Sequence, residues 1–76
     1  MTIYDFTSLN RVTQITTARN GFLAGIREDP FHRILLYRID YFFAELHYDK
    51  RKNIVSRIVP FVDRGLLSAY VNVYLN

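Results

Sequence analysis

The chain has 76 residues, half of them apolar, and carries ten Lys and Arg against seven Asp and Glu for a net charge of +3. A chain this short makes one domain, 1–76, that buries only about 60% of the surface its unfolded form exposes. The absence of cysteine removes both disulfides and a thiolate metal cluster as sources of extra stability.

Six Tyr and six Phe are the compensation, and so rich an apolar supply exceeds what one small core hides. The surplus points to a homodimer, since self-association is the simplest way for such a chain to gain burial. The mild positive charge favours encounter with an acidic partner without identifying one. No stretch approaches the roughly 20 apolar residues of a membrane span. The N-terminus has neither a basic region nor a continuous apolar run of the signal-peptide kind, so the expected setting is the cytoplasm.

Residues 1 to 20 read as one helix. Asp5, Thr7 or Ser8 is its N-cap candidate, and Leu9, Val12, Ile15 or Thr16, and Arg19 follow at helical spacing. Its threonines (Thr13, Thr16, Thr17) weaken its propensity, so it needs the sheet to persist. Asn20-Gly21 ends it, both residues tolerating a left-handed conformation. From Gly21 to Glu28 the sequence alternates as a first strand, and Glu28-Asp29-Pro30 turns the chain. The second strand runs from Phe31 to Ile39 and the third from Tyr41 to Tyr48, with Asp40 expected to take a positive φ between them. Asp49-Lys-Arg-Lys-Asn53 is the next hairpin loop. The fourth strand, Ile54 to Phe61, ends at Pro60 or lies at an edge, because proline donates nothing to a ladder. After Asp63, Leu66, Leu67, Tyr70, Val71 and Tyr74 read as a second amphipathic helix.

The fold class is therefore α+β, in the order α-β-β-β-β-α. It is a four-stranded antiparallel meander with N- and C-terminal helices packed on one face. In the third strand Phe42, Ala44, Leu46 and Tyr48 fall on one side, and Tyr41, Phe43, Glu45 and His47 on the other. The second strand is apolar on both sides, through Ile34 and Leu36 against Leu35, Tyr37 and Ile39. A second face that apolar calls for a cover, and sheet-to-sheet dimerisation supplies one. The expected interface is accordingly the open face with Tyr37, Tyr41, Phe43, Glu45 and Arg57.

Gly21-Phe-Leu-Ala, Ile34-Leu-Leu-Tyr37, Phe42-Phe-Ala-Glu45, Tyr48-Asp-Lys50, Asn53-Ile-Val55 and Pro60-Phe61 together resemble a group of short, uncharacterised bacterial proteins, chiefly from Bacteroidetes. The likeness covers the larger part of the chain. It implies the same helix, four-strand, helix order and carries no activity with it.

Reaction chemistry is sparse. Glu45 and His47 share a strand face, but a metal site needs three or four ligands, and His32 belongs near the far end of the neighbouring strand. A cross-strand pairing of Glu45 with Arg38 or Arg57 is the simpler expectation. Ser8, Ser56 and Ser68 lack the Gly-flanked turn that presents a nucleophile, and the three glycines form no phosphate loop. No catalytic, cofactor or metal residue is assigned. The expected function is a non-catalytic protein-interaction module that self-associates through the open sheet face. The alternative is a small nucleic-acid-binding or regulatory protein, stacking bases on the aromatic face while Lys50, Arg51 and Lys52 neutralise phosphates.

Overall fold

The period-two segments form the sheet. In the computed structural model, which describes residues 1–74, β1 (Phe22–Glu28), β2 (His32–Ile39), β3 (Phe42–Asp49) and β4 (Ile54–Phe61) make one antiparallel meander in the order β1-β2-β3-β4. Leu75 and Asn76, part of the domain expected over 1–76, lie outside the described residues.

Local chemistry sets each turn. Ile39 pairs with Phe42, leaving Asp40 and Tyr41 as a two-residue loop, and Asp40 takes the expected positive φ of 52°. In the β3–β4 loop Asp49 accepts from the amides of Arg51 and Lys52, and Asn53 is left-handed at φ 55°. Asp29 does the same for the amides of Phe31 and His32 in the β1–β2 turn.

The single helix expected over residues 1 to 20 is two. α1 (Ile3–Thr7) starts at Thr2, which forms a reciprocal capping box with Asp5. α2 (Arg11–Arg19) starts at Asn10, whose side chain accepts from the Thr13 amide at 2.9 Å. Asp5 thus serves a cap at its third helical position, and neither Thr7 nor Ser8 is an N-cap. The second helix ends at Asn20-Gly21 as expected, but for a different reason. Asn20 is right-handed at φ −82°, and no glycine in the described chain has a positive φ. Gly21 is needed for space, because a Cβ there would stand 2.6 Å from the Arg38 carbonyl oxygen.

The C-terminal helix is also revised. Asp63 caps a short 3-10 turn over Arg64–Ala69, and Tyr70 is already extended. Residues 64–74 form a strap, not an amphipathic helix, with Leu67, Tyr70 and Val73 turned to the sheet.

The core therefore lies on both sides of the sheet. Phe6 and Ala18, from α1 and α2, pack on Tyr37, Ile39, Phe42, Ala44 and Leu46, with the Phe6 and Phe42 rings 5.5 Å apart. On the opposite face Ala24, Ile34, Leu36, Phe43 and Phe61 pack under Tyr70. The placement of both terminal segments on one face is thus corrected. Strands β2 and β3 are apolar on both sides, and the strap removes the second side from water within one chain.

Candidate interaction surface

The expected interface residues do not share one surface. Phe43 is only 1% exposed, stacked on Phe61 and overlaid by the Arg64 guanidinium of the strap. Tyr37 is buried on the other face, against the helices. Tyr41 is 97% exposed in the β2–β3 turn. Arg57 is exposed on β4 opposite His47. The open face predicted from the sequence is closed by the strap, because Tyr70 reaches over it to Glu45.

Glu45 is the fastening of that strap. It is 7% exposed at the middle of β3 and accepts from the Tyr70 hydroxyl at 2.7 Å. His47 Nε2 lies 2.9 Å from its other oxygen, while Arg27 on β1 reaches the oxygen that accepts from Tyr70, at 3.4 Å. Its partners are therefore Tyr70, His47 and Arg27, not the Arg38 or Arg57 expected from strand pairing. Burial pushes the Glu45 carboxyl upward, but the Tyr70 bond, His47 and Arg27 together outweigh it and hold the group below its ordinary range. Burial first, and then the neighbouring carboxylate, push the Tyr70 phenol well above its usual value. The Arg27 guanidinium also lies over the Tyr70 ring, 5.4 Å from its centre. An ionised Glu45 makes His47 Nε2 the donor and fixes its tautomer. Sequence spacing brought Glu45 and His47 together. It gave no sign of Tyr70, which arrives from 25 residues away.

Gly25 allows the strap to lie close. A Cβ at this position would stand 3.1 Å from the Tyr70 ring and 3.3 Å from the Asn72 carbonyl. Beyond Tyr70 the strap curls round the edge of β1, and the Tyr74 amide donates to the Ala24 carbonyl at 2.8 Å. A cleft of about 300 Å³ remains there, lined by Leu23, Gly25, Ile26, Val71, Asn72 and Tyr74. Its apolar walls are bare: Leu23 and Ile26 are nearly half exposed, Tyr74 is 64% exposed and Val71 97%. Phe22, just before Leu23 on β1, is partly exposed with the Arg38 guanidinium over its ring, 5.7 Å from the ring centre.

The other sheet edge is blunted. Pro60 offers no donor, Ser56 bulges out of the β3–β4 register, and the Arg11 guanidinium covers the Val55 carbonyl.

The hairpin cations stand apart from the aromatics. Lys50 is bound to Glu28 at 2.8 Å, and Lys52 faces Asp49. Arg51 and Arg57 enter no ion pair among the described residues. Tyr41 lies at the other end of β3, about 25 Å away along an eight-residue strand. The stacking platform and the loop cations of the alternative reading are therefore not contiguous.

Among the described residues no group of three or more metal-ligating side chains assembles, and no helix is long and apolar enough to cross a membrane. No family model, no curated protein and no solved structure matches this chain.

Proposed function

We propose that this protein acts by protein–protein contact, as a small non-catalytic module that associates with itself. The supporting observation is the bare apolar patch formed jointly by β1 and the strap, in a chain whose remaining large apolar side chains are mostly consumed by two core clusters. The interface differs from the one expected on the sheet face, since Phe43 and Glu45 now serve to hold the strap. The proposed setting is the cytoplasm, as expected from the sequence.

Light scattering over a dilution series, with and without a mixed single-stranded oligonucleotide, tests the reading. The expected result is a reversible monomer–dimer transition that is indifferent to the oligonucleotide. A monomer throughout that gains mass only with nucleic acid would reject self-association and favour the exposed cations Arg51 and Arg57 as phosphate contacts.

A further inference from the structure

The geometry points to a specific occupant for the β1 patch: the same patch of a second copy, met across a two-fold axis, with the strap as an obligatory half of the contact. This rests on the self-association proposed above and adds its location and its dependence on Tyr70.

Charge favours a like partner. The two ionic side chains at the end of β1 are already committed, Arg27 to Glu45 and Glu28 to Lys50 and Arg33. The cleft side chains Leu23, Ile26, Val71 and Tyr74 carry no charge of their own and so do not repel the same side chains of a second copy.

Area sets the strength. From their exposures these four side chains bare roughly 450 Å² per copy, taking about 150–250 Å² for a fully buried aromatic and somewhat less for an aliphatic side chain. Two copies then bury roughly 900 Å², just under the usual lower bound of a specific interface, so the dimer is weak and reversible.

The contact is made by side chains and not by added strands. The Ala24 carbonyl, which an incoming strand would need, is taken by Tyr74, and Ala24 itself is the bulged residue of β1. Because Val71 and Tyr74 reach this edge only when the strap is down, Glu45 and Tyr70 act as positioning residues for assembly.

The dimer dissociation constant, measured by sedimentation equilibrium for the whole chain and three variants, tests this. Wild type is expected to dissociate in the range of roughly 1–100 µM. Ile26→Glu, at an exposed site that leaves folding intact, should weaken the dimer more than about tenfold by burying an unpaired charge. Val71→Glu should do the same from the strap side. Tyr41→Glu, at an equally exposed site in the far turn, should stay within about twofold of wild type. A dimer that Tyr41→Glu breaks while Ile26→Glu and Val71→Glu leave it unchanged would overturn the patch and leave self-association standing. A wild-type monomer at every concentration would overturn both. Tyr70→Phe supplies the readout for the strap: a weakened dimer supports its positioning role, and an unchanged constant overturns it.

Discussion

Glu45 accepts from Tyr70, His47 and Arg27 at once, and these contacts couple the strap to pH from both sides. Its folded pKa is depressed, so its contribution is present above the ordinary carboxylate value of about 4.3 and is lost as pH falls through the depressed value. Tyr70 has the opposite sign: its folded pKa is raised, so its contribution is complete below the ordinary phenol value of about 10 and is lost only as pH climbs through the higher folded one. The strap should therefore stay docked across the whole neutral range. Difference spectroscopic titration of wild type against Tyr70→Phe checks this by isolating one phenol from the six tyrosines. The phenolate signal should rise well above pH 10, and a transition near that ordinary value would show that Tyr70 is not held by Glu45.

At the scale of elements, the strands were legible because alternation is a strong signal and Asp29, Asp40, Asp49 and Asn53 mark the turns. The positive φ at Asp40 followed from the very short gap between the second and third strands, which holds no glycine. The helices were less legible. Leu9, Val12 and Ile15 run at helical spacing straight through the break, and the pattern does not reveal that Asn10 caps a fresh helix. Its worth can be measured: Asn10→Ala leaves the Thr13 amide without its acceptor and should cost about 1 kcal/mol in urea unfolding. A change within error would mean that α2 is held by packing alone. The strap misled for a related reason. Leu67, Tyr70 and Val73 pack at every third residue, a spacing that a short 3-10 turn and an extended tail supply, yet beside Leu66, Val71 and Tyr74 it imitates an α-helical stripe. The apolar second face of β2 was read correctly as needing a cover, but sequence periodicity says nothing about which chain supplies it. The fastening at Glu45 was hidden for the same reason, since Arg27 and Tyr70 meet it only through tertiary packing.

For the whole molecule, two edges of one sheet are treated differently: β4 is blocked by Pro60, a bulge and Arg11, whereas β1 is finished by an apolar strap. A second copy covering the β1 edge, as proposed, would add stability that depends on concentration. Above the dissociation constant, each tenfold rise in protein adds about 1.4 kcal/mol per dimer, half of that per chain. About 1 kcal/mol moves the Tm of a domain this size by roughly 4–8 °C, so the wild-type Tm should climb by several degrees per decade. Calorimetry of wild type beside Ile26→Glu makes the comparison. At matched concentrations the variant should melt lower than wild type, close to the value that wild type approaches on dilution, because Ile26 is surface in the monomer. A wild-type Tm that does not move with concentration would mean that the bare edge of β1 contributes nothing between copies.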